Sequence, residues 1–445
     1  MTQALRQDMA ESLDVASARL PADARLLARS WFSRHAFLGP ASTNQDAHDL
    51  PFQRWYRFKE AFAPRAVVDA FASLPTMPKT CIDCFGGSGT TALTAQFLGV
   101  RPTTIEVNPF LADLIEAKLE SYEVSSLIRS YREVVDRAAS LRTDPATLLA
   151  SAPATFLEPG VGGRFIYWAD VAERILAYRE AIGVLEHPAH ARLLRVLLGA
   201  TLIRLSNVVI NGKGRRYRSG WERRKVDPRA VARLFETSFL DAVEDIARFG
   251  RRAQPEYTLL RGDSREMLAS APQAEFALFS PPYPNSFDYT DIYNVELWLL
   301  GYLSTAGDNR SLREATLRSH VQIKRSFAAR WQTPTLSKAL ESLCTLRSEL
   351  WNASIPDMIG AYFDDLAGVL RGLHAIMPSG SSVMVVVGDS QYAGVPIEVG
   401  RILVELAEEM PFRLEKLEPM RSMRSSAQQG GRLALDETLI HLTTV

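Results

Sequence analysis

Along this chain the strand signals are short apolar runs rather than alternating patterns. They fall at residues 80–85, 101–107, 257–260, 276–279, 382–387, 412–417 and 437–442. Amphipathic, helix-length stretches separate most of them, for example 89–98, 109–119 and 396–409. Continuous apolar strands divided by helices predict a mostly parallel α/β sheet covered on both faces. The last two runs have no convincing helix between them, which predicts an antiparallel hairpin at one sheet edge. Two helical blocks, the second of them polar, interrupt the alternation, at 121–255 and 301–375. The pattern therefore divides into an N-terminal helical arm at 1–45 (helix at 22–35), a core assembled from 46–120, 256–300 and 376–445, and two helical insertions. Pro64 stands at the first turn of the helix that leads into the first strand, a position proline suits.

Composition narrows the class. With 445 residues, 47% hydrophobic and 23% charged, the chain has ample material for a large globular core. No window approaches a membrane-spanning run and the first residues lack a signal-peptide pattern, so a cytoplasmic protein is expected. Three cysteines exclude a disulfide framework. Cys81 and Cys84 form a Cys-x-x-Cys pair, but Cys344 is remote and no histidine stands near. They read as buried strand residues, with no metal expected.

Net charge is zero, yet its distribution is uneven. Between 213 and 229 lie Lys213, Arg215, Arg216, Arg218, Arg223, Arg224, Lys225 and Arg229, against Glu222 and Asp227 only. Tyr217 and Trp221 are interleaved, and Asn211-Gly212-Lys213-Gly214 makes a flexible turn. Arginine forks among aromatic rings suit phosphates and base edges. A solvated helix face is the alternative for such a run. The DNA-contacting candidates are Lys213, Arg215, Arg216 and Arg218.

Two segments carry candidate chemistry. In Asp83-Cys84-Phe85-Gly86-Gly87-Ser88-Gly89-Thr90 a strand runs into a helix through a glycine turn, where backbone N–H groups and the helix dipole face a ligand. No lysine precedes Thr90-Thr91, which excludes a phosphate-binding P-loop. An adenosine ligand remains, and the acid expected at the next strand tip for ribose hydroxyls is Glu106. The second segment is Phe276-Ala277-Leu278-Phe279 leading into Ser280-Pro281-Pro282-Tyr283. An exocyclic amino nitrogen is a poor nucleophile because its lone pair is delocalised into the ring. The Ser280 hydroxyl and the Pro281 carbonyl, on a loop stiffened by Pro282, could engage its hydrogens and free that pair. Tyr283 would stack on a base flipped from its duplex. None of the three cysteines follows a proline, which argues against attack on cytosine C5.

Together these segments resemble the cofactor and catalytic motifs of S-adenosylmethionine-dependent DNA amino-methyltransferases. The Ser-Pro-Pro-Tyr form is most similar to the N4-cytosine branch, and N6-adenine is the alternative. The resemblance implies a Rossmann-like fold with a seven-stranded sheet, S-adenosylmethionine as cofactor and double-stranded DNA as partner, with a cognate restriction or defence protein as a further possible partner. It implies a cofactor set of Phe62, Asp83, Phe85, Gly86, Gly87, Gly89, Thr90, Glu106 and Asp263. Within that set Asp263 would take the adenine amino group, Asp83 the methionine end, and Phe62 with Pro64 the flanks of the methionine. The loop Pro284-Asn285-Ser286-Phe287-Asp288-Tyr289 also resembles the family's, which makes Asn285, Asp288 and Tyr289 candidates for shaping the base pocket. Asp389, at the tip of the fifth strand, is a further pocket candidate. RNA or protein-amide methylation, and a non-catalytic role in a defence complex, stay open as alternatives. The 121–255 block is the candidate DNA-recognition region.

Overall fold

The computed structural model describes residues 10–33, 49–58, 63–211, 214–285, 287–424 and 434–445. Seven strands form one sheet: β1 (Thr80–Asp83), β2 (Arg101–Glu106), β3 (Thr258–Arg261), β4 (Phe276–Phe279), β5 (Ser382–Gly388), β6 (Phe412–Arg424) and β7 (Ala434–Thr444). Their spatial order is β6-β7-β5-β4-β1-β2-β3, with β5 to β3 parallel and β7 antiparallel to both neighbours. The apolar runs predict this mostly parallel sheet with its antiparallel edge, and its seven strands are those of the Rossmann-like fold that the resemblance implies.

Alternate residues of each buried strand feed two separate cores. Cys81, Phe276, Leu278 and Met384 pack on one face, beneath helices Pro64–Ala72, Thr90–Phe97 and Pro109–Leu119. Ile82, Ala277, Phe279, Val383 and Val385 pack on the other, beneath Ile355–Ile376 and Val399–Glu408. Helix Ile355–Ile376, from the second polar block, thus supplies much of the second core. Among the described residues, no helix is long and apolar enough to cross a membrane.

Three local structures carry the site. Helix Ala22–Ser33 packs on helix Thr90–Phe97 through Trp31, whose ring stacks on Phe97 at 4.2 Å. Residues 49–58 are tied down by Asp245, which accepts from the Phe52 amide (2.8 Å), the Trp55 indole (2.9 Å) and the Arg54 guanidinium (2.6 Å). That knot holds Phe52 at φ 65°, a left-handed conformation an aromatic residue rarely adopts without such support. Finally, two short hairpins flank the loop that follows β4, Val208–Asn211 with Gly214–Tyr217 and Ser390–Tyr392 with Val395–Ile397. Tyr392 donates its hydroxyl to the Pro284 carbonyl at 2.9 Å.

Candidate active site

One cavity of about 700 Å³ opens at the carboxyl ends of β1, β2 and β4. Sheets of this kind bind ligands there, where the chain order reverses. The glycine turn forms its floor. A Cβ at Gly86 would stand 2.3 Å from Thr104 Cγ2 on β2 and 2.8 Å from Ile115 Cδ1 on helix Pro109–Leu119, so any other residue would force the turn or these neighbours to shift. Gly87, at φ 52°, lies against the Phe58 ring. Gly89 does not line the cavity; at φ 77° it lets Ile115 approach the helix start. Behind the turn the buried Lys118 ammonium donates to the Ser88 carbonyl (2.6 Å) and the Gln53 amide oxygen (3.0 Å). Burial pushes its pKa down to about 7.

Three expected acids face this floor. Glu106 accepts one backbone N–H on each oxygen, from Gly87 (2.7 Å) and Asn108 (2.8 Å), which leaves further lone pairs for hydroxyl donors. Asp83 accepts from the Phe85 amide at 2.9 Å. Burial raises both carboxyls, Asp83 to about 6 and Glu106 to about 7, against the lowering pull of those amides. Asp263 lines the cavity too, but the Arg265 guanidinium clasps both its oxygens and reaches on to Asp365 at 2.8 Å. Phe85 and Thr90 join the lining. Phe62 lies outside the described residues. The ring found against Gly87 is Phe58, which also stacks on Tyr293 at 5.8 Å.

Ser280, Pro281, Pro282 and Tyr283 all face the same cavity. The Tyr283 hydroxyl donates to Glu437 Oε1 on β7 at 2.8 Å, and the Ser280 hydroxyl stands 3.5 Å from it. Burial, then the Glu437 charge, raise the Tyr283 phenol well above its ordinary range. Among the described residues of the following loop, only Tyr289 lines the cavity. Asn285 instead accepts from the Phe287 amide, and Asp288 caps helix Tyr289–Ile292 while pairing with Arg313.

Sequence reasoning missed the opposite wall. Leu312, Thr316, Leu317, Ser319 and His320, from the second polar block, line the cavity beside Tyr293 and Glu437. Arg325 holds this irregular segment by donating to the carbonyls of Thr316 (3.0 Å), Leu317 (2.8 Å) and Arg313 (3.2 Å). No local motif marks these residues, because their place depends on a salt bridge spanning 25 positions and on backbone carbonyls. Asp389 does not line the cavity and accepts from the Val399 amide instead.

The described residues of the arginine-rich segment do not line the cavity. Arg218 and Arg224 turn inward and donate to the carbonyls of Ile203, Arg204 and Ser206, the last turn of helix Pro188–Leu205. Arg215 stands 3.9 Å from Asp291 and is half-buried, Arg216 is exposed, and Lys213 is outside the described residues. Cys81 and Cys84 are buried, as expected of strand residues, and their thiols are raised by burial. Among the described residues no cluster of metal ligands occurs.

No protein-family model matches the chain. It is 25% identical to the Type II methyltransferase M.BsoBI of Geobacillus stearothermophilus, over an alignment of 457 positions covering 92% of this chain and 87% of that protein. It is 35% identical to the Type II methyltransferase M.AvaI of Nostoc over 164 positions, 34% of each chain. Among solved structures, the rRNA methyltransferase AviRa of Streptomyces viridochromogenes aligns with TM-score 0.27 and 12% identity, covering 86% of this chain and 85% of that one. TrmN of Thermus thermophilus gives 0.26 and 12%, over 86% and 48%. Scores this low carry no argument. The sequence similarity to M.BsoBI spans nearly the whole length of both chains, and this likeness to Type II methyltransferases implies S-adenosylmethionine as the methyl donor.

Proposed function

We propose that this protein methylates the exocyclic N4 amino group of cytosine in double-stranded DNA, on a base flipped into the cavity. The observation that carries this reading is the meeting of the glycine turn and Ser280-Pro281-Pro282-Tyr283 in one cavity. Similarity to Type II methyltransferases over most of the chain supports DNA as the substrate. Serine at 280, as in the N4-cytosine form of the motif, favours cytosine over adenine.

The floor suits an adenosine-bearing ligand on chemical grounds: glycines leave room for close backbone approach, and buried carboxylates await hydroxyl and amino donors. In our assignment Gly86, Gly87, Phe85 and Thr90 cradle the cofactor, Glu106 takes the ribose hydroxyls, Asp263 the adenine amino group and Asp83 the methionine end. Once bound, the cofactor supplies a methyl group activated by its sulfonium. Ser280 and the Pro281 carbonyl accept the amino hydrogens and draw the nitrogen toward tetrahedral geometry. Glu437 fixes the Tyr283 ring through its hydroxyl, so the ring is preorganised as a stacking platform. Positioning of this kind carries most of the rate when no covalent intermediate forms.

We assign DNA recognition to the 121–255 block. Hairpin Val208–Tyr217 packs against helix Tyr289–Ile292 beside the catalytic loop, which brings Arg215 and Arg216 near the cavity. Arg218 is assigned to structure rather than DNA, because its guanidinium caps a helix.

The test is the modified-base content of DNA from cells expressing the protein, with a Ser280→Ala, Tyr283→Ala double variant as control. N4-methylcytosine in the wild type alone is expected. N6-methyladenine would replace the base and keep the machinery. Neither base, from a protein that binds S-adenosylmethionine, would overturn the DNA reading.

A further inference from the structure

The proposed reaction leaves one proton unassigned. After the amino lone pair bonds to the methyl carbon, the nitrogen holds one proton and one positive charge too many. A serine hydroxyl at 280 is a weak proton acceptor, so another base in the cavity would complete the site.

His320 meets the physical requirements. It lines the cavity and is only 2% exposed. Its Nδ1 is buried and has no hydrogen-bond partner among the described residues. Its Nε2 lies 4.0 Å from Asp288 Oδ1, and the Gln322 side chain hydrogen-bonds to the ring. A proton on Nε2 serves the Gln322 hydrogen bond, faces the Asp288 charge and leaves the Nδ1 lone pair bare, since the partner of one ring nitrogen sets the state of the other. Burial, together with the charges of Arg325 and Arg313, lowers the pKa to about 4 despite Asp288, so the ring is neutral at physiological pH. A nitrogen that has just given up its conjugated lone pair is a far stronger acid than that imidazolium, so the transfer runs downhill. The segment that carries it is also held in place: Arg325 donates to the His320 backbone carbonyl at 3.5 Å, and Arg313 ties the segment to Asp288.

We propose that His320 accepts the proton released from the methylated amino nitrogen, through Nδ1. The N–H bond breaks with its electron pair returning to the amino nitrogen, the proton forms a new bond on Nδ1, and the imidazolium then passes it to water. While the transfer is under way the same lone pair stabilises charge growing on the amino hydrogens. Asp288 acts as a positioning residue, orienting the ring through its Nε2 side. The assignment rests on the amino-methyltransferase reading above and applies to cytosine or adenine alike.

The test uses single-turnover methyl transfer to unmethylated genomic DNA, with the full chain. His320→Ala and His320→Gly should bind S-adenosylmethionine within about twofold of wild type by calorimetry. They should lose about 10²- to 10⁴-fold in transfer rate, the usual range for a positioned general base. Free imidazole should restore part of the His320→Gly rate, which a merely structural role would not allow. Independently of activity, ¹⁵N spectra of histidine-labelled protein should show His320, identified by its loss in His320→Ala, protonated at Nε2 and bare at Nδ1. An unchanged transfer rate, a protonated Nδ1, or loss of cofactor binding without imidazole rescue would each overturn the assignment. A wild type that binds the cofactor but methylates neither base would overturn the DNA reading and this assignment with it.

Discussion

The two halves of the cavity are built on different principles. The floor, where the cofactor is assigned, comes from consecutive residues at two adjacent strand tips and is held by backbone. Glu106 bonds the Gly87 and Asn108 amides, and Gly86 fits between Thr104 and Ile115. The base side comes from side chains scattered over 280–437, joined by long-range pairs such as Tyr283–Glu437 and Asp288–Arg313. A backbone-built floor resists variation, because a turn admits few residue types. A side-chain-built wall can be re-tailored one residue at a time, which suits the part that must select a base.

That contrast can be broken most forcefully at Gly86. Alanine there would place a Cβ 2.3 Å from Thr104 Cγ2. Relief of such a clash in a packed region costs about 1–3 kcal/mol. If the turn shifts to find it, S-adenosylmethionine affinity falls by about tenfold to a hundredfold, at 1.4 kcal/mol per decade. Calorimetric titration measures this directly. An unchanged dissociation constant would mean that the turn does not hold the cofactor.

On the other side, Arg325→Ala should spare the floor and damage the wall. Carbonyls of Arg313, Thr316, Leu317 and His320 would lose their donor, at roughly 1–3 kcal/mol for each buried group left unpaired. Methyl transfer should fall about tenfold or more while cofactor affinity holds within about twofold. Equal losses in both quantities would show that the halves are coupled rather than separate.

This difference in construction also explains what the sequence made legible. The glycine turn, Glu106, Asp263 and Ser280 to Tyr283 were readable because local chain order places them, at strand tips marked by apolar runs. All seven sheet strands were readable for the same reason. The wall at 312–320 was not. Its residues carry no periodicity, and their position depends on Arg313 finding Asp288 and Arg325 finding four carbonyls, partners that only the folded chain brings together. Phe58 illustrates the same limit: the upstream aromatic that the resemblance implies is Phe62, whereas the ring against Gly87 is Phe58, on a segment tied down by Asp245, a residue 187 positions further along the chain. The arginine run misled in part, because composition does not distinguish an arginine facing solvent from one capping a helix.

A gentler probe uses pH. Burial holds Glu106 at about 7 and Asp83 at about 6, so both take up protons as pH falls from 8 to 5. Ribose hydroxyls and a cationic cofactor favour the ionised carboxylates, so affinity should weaken by about tenfold as pH falls through that window. The ligand-free protein should show the opposite sign. Its folded-state carboxyls bind protons more tightly than the unfolded chain does, so their contribution to stability grows as pH falls from about 7 toward 4.5. Opposite pH slopes for cofactor affinity and for the melting temperature of the ligand-free protein are the expected result. Affinity that does not change with pH would remove both acids from the cofactor side.

The smallest expected effect separates two neighbours in the arginine run. Arg216 is exposed on hairpin strand Gly214–Tyr217, whereas Arg218 donates to the carbonyls of Ile203 and Ser206. Each phosphate contact releases a counterion, so removing one lowers the slope of log affinity against log salt by about 0.9. Arg216→Gln should therefore flatten that slope by about one contact and leave the melting temperature unchanged. Arg218→Gln should do the reverse, lowering stability by about 1–3 kcal/mol through unpaired carbonyls at the helix end and leaving the slope alone. Fluorescence anisotropy with duplex DNA across a salt series, beside thermal melts, reads both quantities on the same samples. If the two variants behave alike, then position on the hairpin does not sort structural arginines from DNA-facing ones, and the recognition surface has to be sought elsewhere in the 121–255 block.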